Sequence, residues 1–155
     1  MNRRNQIQLT PEEQAVFLRE PNKAALATIE RMAEIDLTAH VDKVGRLVQA
    51  GWKAAAASRK IAVKVGGLPA LCSLSFDLGD QSRLAMTLFT QEMLLRGYLA
   101  SGGFYPTYGH DENAVGAYLN AVEEVFGYIK SCLDRGELAS ALAGPIAQSG
   151  FARLT

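Results

Sequence analysis

The most constraining feature of the chain is a change in the spacing of its apolar residues near position 60. Up to about Ala57, apolar residues recur every three or four positions, which is the spacing of one helix face. From Ile61 to Val65, and again from Cys72 to Leu78, they alternate with other residues, which is typical of half-buried strands. Because Gly66–Pro69 is too short for a parallel crossover, the two strands are predicted to pair antiparallel.

Helical patterns surround this hairpin and determine the predicted fold class. Thr10–Glu13 combines a hydroxyl cap with a proline, so a short helix is predicted to begin there and to end before Pro21. The remaining predictions are helices over 22–34, 38–57, 81–96, 111–135 and 137–142, and short strands over 98–100 and 104–108. This order predicts an α+β fold, with a small, mostly antiparallel sheet of three to four strands covered by helices on one face.

Composition excludes several classes of function. The 155 residues carry 16 basic and 16 acidic side chains, so no net field favours nucleic acid. No apolar run approaches the ~20 residues that span a bilayer, and no apolar signal segment follows the polar start. We therefore expect a cytoplasmic protein that binds neither nucleic acid nor membrane. Cys72 and Cys132 lack the spacing of metal ligands and are predicted to be buried thiols.

Lysines and histidines are the next candidates for chemistry. A lysine that carries a cofactor as an imine needs an apolar niche that lowers its pKa. The pattern instead predicts solvated surface lysines at all six positions: Lys23, Lys43, Lys53, Lys60, Lys64 and Lys130. His110 precedes a helix cap, so a structural role is favoured over a general base, and His40 is predicted to lie on the surface.

A glycine-rich loop with two aromatic residues is the best candidate for a binding site. Glycines let backbone approach a ligand closely, and the aromatic pair could wall a pocket. The alternative is a tight turn followed by core aromatics, and both interpretations stay open. The candidate pocket residues are Ser101, Gly102, Gly103, Phe104 and Tyr105.

Five stretches, in collinear order, resemble the class III pyridoxal-phosphate aminotransferases, especially the branch around glutamate-1-semialdehyde 2,1-aminomutase. The most specific stretch runs from Glu92 to Pro106 and is similar to the family's passage from helix to strand to substrate-facing loop. The others are Ala24–Met32, Val44–Leu47, Gly109–Asn113 and Gly144–Phe151.

The resemblance implies that residues 21–155 are the small C-terminal domain of such an enzyme, with the fold of small domains in fold-type I pyridoxal-phosphate enzymes. Residues 1–20 stay unassigned apart from the short helix. In the family, the imine-forming lysine and the phosphate cradle lie in a large upstream domain, which these residues do not match. The intact enzyme would transfer amino groups with pyridoxal phosphate as a homodimer. For this chain alone we expect no catalytic residue, no cofactor and no activity.

The loop also bears on the substrate that the resemblance implies. Residues 98–108 would roof the active site of the intact enzyme. Several family members place an arginine just before this strand to bind a substrate carboxylate. Gly103 and Phe104 stand here instead. The difference favours the aminomutase-like branch, or a substrate without that carboxylate.

Two alternatives remain. The chain could be one piece of a split enzyme whose large pyridoxal-phosphate domain is a separate polypeptide. It could instead be a non-catalytic α+β interaction module that self-associates through apolar residues of its first two helices. Those residues are Val16, Phe17, Leu18, Leu26 and Ile29.

Overall fold

The computed structural model of the chain describes residues 10–12 and 21–148. The chain divides into two compact units, Met1–Thr38 and Ala39–Thr155. In the first unit Pro11 and Glu12 are helical, in keeping with the predicted helix start. The rest of that predicted helix, with Val16, Phe17 and Leu18, lies outside the described residues. The assignment of residues 21–155 to one family-like domain stays a prediction.

Helix α1 spans Pro21–Glu34 and belongs to the first unit. Its apolar residues Leu26, Ile29 and Met32 are 56%, 61% and 42% exposed. The predicted apolar face therefore exists, but it is not buried.

The further elements follow one another with short connections. They are α2 (Leu37–Arg59), β1 (Val63–Leu68), β2 (Leu71–Phe76), a 3₁₀ turn (Gly79–Gln81), α3 (Ser82–Leu95), β3 (Gly103–Phe104) and α4 (Glu112–Arg135). No helix among the described residues is long and apolar enough to cross a membrane.

The three strands form one antiparallel sheet in the order β1-β2-β3. Val63 pairs with Phe76 at one end of the hairpin and Leu68 pairs with Leu71 at the other, while β3 adds only two pairs to β2. Side chains of β2 are alternately exposed and buried, with Cys72, Leu74 and Phe76 on the buried face. The predicted α+β fold, with a small antiparallel sheet whose one face is covered by helices, is confirmed.

The core lies between this buried face and helices α2, α3 and α4. The rings of Phe76, Phe89 and Phe126 meet with centroids 5.5–6.2 Å apart. Burial of each such side chain contributes about 1.5–3 kcal/mol, so this cluster ties the sheet to two helices. The fully buried residues around it are Val48, Trp52, Leu88, Met93, Val122, Val125 and Ile129.

Helix ends follow the local signals. Asp111 caps α4, because its Oδ1 accepts a hydrogen bond from the Ala114 N–H at 2.7 Å. Gly136 ends the same helix in the left-handed region, and Gly97 does so after α3, with φ of 69° and 86°. Helix α2 ends differently, because the left-handed residue is Lys60 with φ 54°. The Ile61 N–H closes that turn by bonding to the Ala56 carbonyl at 2.9 Å.

Three local predictions were wrong. Strand β1 continues to Leu68, so the hairpin turn lies at Pro69 and Ala70 and not over Gly66–Pro69. Residues 98–100 form no strand, because Leu99 is 96% exposed and the Tyr98 N–H is used in the turn that closes α3, on the Met93 carbonyl. Residues 137–142 form turns without a helix, although the Ala141 N–H does bond to the Glu137 carbonyl.

Both cysteines are buried and unpaired, which confirms the predicted burial. The Cys72 thiol donates to the Pro69 carbonyl at 3.1 Å and to the Gly45 carbonyl at 3.4 Å. Burial raises the pKa of Cys72. At the same place α2 approaches the hairpin turn so closely that a Cβ on Gly45 would lie 1.8 Å from the Pro69 oxygen.

Candidate functional site

The candidate loop leaves α3 and returns to the sheet within a few residues. Gly97 turns the chain in the left-handed conformation, where a residue with a Cβ would be strained. The loop then meets β2, where the Leu74 N–H donates to the Gly102 carbonyl at 2.8 Å. A Cβ on Gly102 would lie 2.8 Å from the Leu74 oxygen, so glycine is required for this close approach. The next two residues, Gly103 and Phe104, form β3 opposite Ser73 and Cys72.

Beside β3 lies a cleft of about 510 Å³, a volume within the range of small-molecule sites. Gly103, Phe104 and Tyr105 line it, as predicted. Ser101 and Gly102 do not line it, because Gly102 packs on β2 and the Ser101 hydroxyl accepts from the Gly103 N–H at 3.4 Å. The other lining residues are Gly97, Tyr98, Leu99, Ala100, His110, Ala114, Val115 and Tyr118.

Aromatic rings form the floor of this aromatic cleft. Phe104 lies 5.4 Å from Tyr118 and 5.0 Å from His110, measured between ring centroids. Tyr98 lies 5.7 Å from Tyr118, and Trp52 meets Phe104 edge-on at 6.4 Å. Tilted and edge-on arrangements at these distances are the favourable ones for aromatic pairs. The cleft therefore offers rigid, mostly apolar walls.

Beneath the cleft, Tyr118 is hydrogen-bonded into the core. Its hydroxyl oxygen accepts from the indole N–H of Trp52 at 3.0 Å, and both side chains are buried. Burial raises the pKa of Tyr118 to about 12, so the phenol is neutral near pH 7. The hydroxyl is thus a structural group and a poor base.

His110 closes one side of the cleft. Its Nδ1 accepts a hydrogen bond from the Thr107 N–H at 2.9 Å, and the Thr107 hydroxyl lies 3.0 Å away. Because a backbone N–H can only donate, Nδ1 is unprotonated here and the neutral ring carries its proton on Nε2. This bond holds the turn that enters α4, which agrees with the predicted structural role.

The mouth of the cleft is bordered by exposed apolar side chains. Leu95, Leu99 and Tyr105 are 73%, 96% and 66% exposed. Such side chains next to one another on a surface are typical of a region that meets another molecule. We call these three residues the apolar rim.

Charged groups are absent from the lining of the cleft, among the residues that the structure describes. Three lysines pair with carboxylates elsewhere: Lys43 with Glu112, Lys64 with Asp77, and Lys130 with Asp134. Lys23, Lys53 and Lys60 are exposed. Pyridoxal phosphate needs an amine in an apolar niche and a partner for its phosphate. The described side chains of this chain do not fit that group.

His40 corrects one prediction. Its ring packs 5.3 Å from the Tyr108 ring, and its Nε2 is buried without a hydrogen-bond partner, so it is not a surface residue. A void of about 30 Å³ separates it from His110 and the start of α4. In the described part of the chain, no group of three or more His, Cys, Asp or Glu side chains could hold a metal ion.

The pattern analysis missed the contribution of α4 to the cleft. Ala114, Val115 and Tyr118 line it, yet the spacing assigned Val115 and Tyr118 only to the apolar face of a long helix. One signal was present, since Tyr118 is the residue with a hydroxyl group among the otherwise apolar residues of that face. No family model matches this chain, and neither a curated protein nor a solved structure does.

Proposed function

We propose that this chain is a small, lid-forming domain of the class III aminotransferase type. It would cover the active site of a catalytic domain that lies outside these 155 residues, on the same polypeptide or on a second one. The observation that carries the proposal is a coincidence of two independent features. Seven of the residues that line the aromatic cleft belong to Glu92–Pro106, the stretch with the most specific resemblance to that family.

The chemistry of the cleft supports a role in covering an active site. Its lining has rigid rings and backbone but no charged side chain, so it can exclude water and shape a pocket. The apolar rim would meet the catalytic domain and become buried when the two close. In an intact enzyme of this type, pyridoxal phosphate supplies the electron sink for amino-group transfer. The lysine that holds it would come from the catalytic domain, in a homodimer as in the family, and the compartment proposed is the cytoplasm.

A cofactor assay tests the first half of the proposal. The purified chain is mixed with pyridoxal phosphate, and imine absorbance in the visible range is followed before and after borohydride reduction. The expected result is the spectrum of the free cofactor and no added mass on the protein. A reduced adduct on any one of the six lysines would overturn the lid role, because the chain would then hold the cofactor itself.

An association assay tests the second half. The DNA next to this reading frame is searched for a large domain of alternating strands and helices, and the two products are purified together. Leu99→Asp and Tyr105→Asp are expected to weaken their association at least ~10-fold, because each places a charge on the apolar rim. Leu68→Asp is the matched control, since Leu68 is 71% exposed at the hairpin end, outside the rim. Equal effects of all three substitutions would contradict a role for the rim.

The second candidate function is a non-catalytic interaction module, and the exposed face of α1 favours it. Leu26 and Ile29 are each more than half exposed on a helix of fourteen residues. Sedimentation distinguishes the candidates. The module should form a dimer by itself, which Ile29→Glu dissociates, whereas a lid without its catalytic domain should respond to Leu99→Asp. A monomer at all concentrations would exclude the self-associating module.

A further inference from the structure

Residues 141–148, which we call the strap, run along α3. Within the strap Ala143–Gln148 are exposed, so this part is not held by burial in the core. Instead, three side chains of α3 hold it: Arg83, Thr87 and Gln91. These positions are four residues apart and therefore lie on one face of the helix. Gln91 contacts the beginning of the strap and Arg83 its end, so the strap runs antiparallel to α3.

Two pairs of hydrogen bonds make these contacts, and each pair satisfies both polar directions of the strap backbone. The Gln91 side-chain amide donates to the Ala141 carbonyl at 3.1 Å and accepts from the Ala143 N–H at 2.7 Å. Thr87 Oγ1 accepts from the Ala147 N–H at 3.2 Å, and Arg83 donates to the Ala147 carbonyl at 3.0 Å. All four bonds involve backbone atoms of alanines. An extended chain of other sequence, with small residues at these positions, could form the same bonds.

The strap also leaves unfilled space beneath it. A cavity of about 440 Å³ lies between the strap and α3, bordered by Met86 and Thr90 on the helix and by Gly144 and Pro145 on the strap. Gly144 has no side chain to fill it, and a Cβ built there meets no atom within 4 Å. The strap is therefore an incomplete ligand of a site that could hold a larger one.

We propose that this face of α3 is a docking site for an extended polypeptide, occupied in this structure by the strap of the same chain. The favoured partner has small residues where Ala143 and Ala147 stand, and a larger apolar side chain in place of Gly144, directed toward Met86. This site is separate from the aromatic cleft and does not depend on the function proposed for it. Its partner would displace the strap.

Hydrogen exchange in the full-length chain tests the site from within. Gly144→Met should slow exchange of the Ala143 and Ala147 amides several-fold, because the new side chain fills the cavity. Gln91→Ala should speed exchange of the Ala143 amide ~10-fold, because it loses its acceptor. Gly116→Met is the matched control on an open helix surface and should leave both amides unchanged. Unchanged or faster exchange in Gly144→Met would overturn the proposal.

Titration with a peptide tests displacement directly. The probe is an acetylated, amidated peptide with the sequence of residues 139–148 and Met in place of Gly144, added to the ¹⁵N-labelled full-length chain. Saturable shifts of the Gln91 side-chain amide, together with faster exchange of the chain's own Ala147 amide, are expected. Binding should weaken ~10-fold in Gln91→Ala and several-fold for the peptide that keeps Gly144. The absence of saturable shifts, or equal binding to Gln91→Ala, would refute a docking site.

Discussion

The indole N–H of Trp52 donates to the hydroxyl oxygen of Tyr118, and this bond joins α2 to α4 beneath the aromatic cleft. Both side chains are buried, so neither group can turn to water if the other is removed. Phe104 packs against both rings. The shape of the cleft and the stability of the core therefore depend on the same pair.

Tyr118→Phe should lower the free energy of unfolding by about 1–3 kcal/mol, because it leaves the Trp52 N–H buried without an acceptor. Denaturant unfolding followed by Trp fluorescence measures the change. Tyr108→Phe is the control, since Tyr108 is 57% exposed and should change stability little. Equal stability of Tyr118→Phe and the parent chain would show that the bond contributes nothing.

Alkaline titration gives an independent measure of the same tyrosine. Burial raises the pKa of Tyr118 from its ordinary value near 10 to about 12. Between these two values only the unfolded chain releases the proton, so the free energy of unfolding should fall as pH rises, by ~3 kcal/mol in total. Ultraviolet absorbance of tyrosinate should show a step near pH 12 that is absent in Tyr118→Phe. A variant with an unchanged titration curve would contradict the shift.

Gly45→Ala should destabilise the chain by about 2 kcal/mol or more, because its Cβ would lie 1.8 Å from the Pro69 oxygen and α2 would have to move. Gly116→Ala is the matched helical control. No atom lies within 4 Å of its Cβ, so it should stabilise α4 by about 0.5–1 kcal/mol. Thermal unfolding of the two variants should shift in opposite directions. A shift in the same direction would mean that α2 can yield at the hairpin turn.

Lys60→Gly should stabilise the chain by about 1 kcal/mol. Lys60 has φ 54°, a conformation that costs a residue with a Cβ but not glycine. Its side chain is exposed, so little packing is lost. Lys53→Gly is the control and should destabilise by about 1 kcal/mol, since Lys53 is an exposed residue inside α2. Chemical denaturation of both variants decides the sign.

Thiol reactivity should report opening of the core. Cys72 and Cys132 are each 1% exposed, and burial raises the pKa of Cys72, which lowers the fraction of reactive thiolate. A colorimetric disulfide reagent should therefore react with both thiols only as fast as the structure opens, and at once after unfolding. Cys72→Ser and Cys132→Ser assign the two signals. Immediate reaction of Cys72 in the folded chain would contradict its burial.

Local sequence signals predicted those elements whose formation depends mainly on near neighbours. Helix α4 was predicted between the cap Asp111 and the stop Gly136, because an N-cap and a left-handed glycine act within a few residues. The antiparallel hairpin was predicted from its alternation and its short connection, and its burial pattern is confirmed on β2.

Elements that depend on distant partners were predicted less well. Residues 98–100 have strand-forming side chains, but no strand lies beside them, so Leu99 projects into solvent. The cleft was predicted in part for the same reason. Gly103, Phe104 and Tyr105 follow from a local pattern of glycine and aromatic residues, whereas the role of Tyr118 arises only when α4 packs on α2.

The unequal lengths of the pairings to β2 imply an order of assembly. Strand β1 shares six residue pairs with β2 across a tight turn, whereas β3 shares two pairs and comes from a distant part of the chain. Closing a long loop for so few contacts is slow, so the hairpin should form early and β3 should join late. The walls around Phe104 would then be completed in the last stage of folding, and a chain still emerging from the ribosome would present a finished scaffold before it had a binding site.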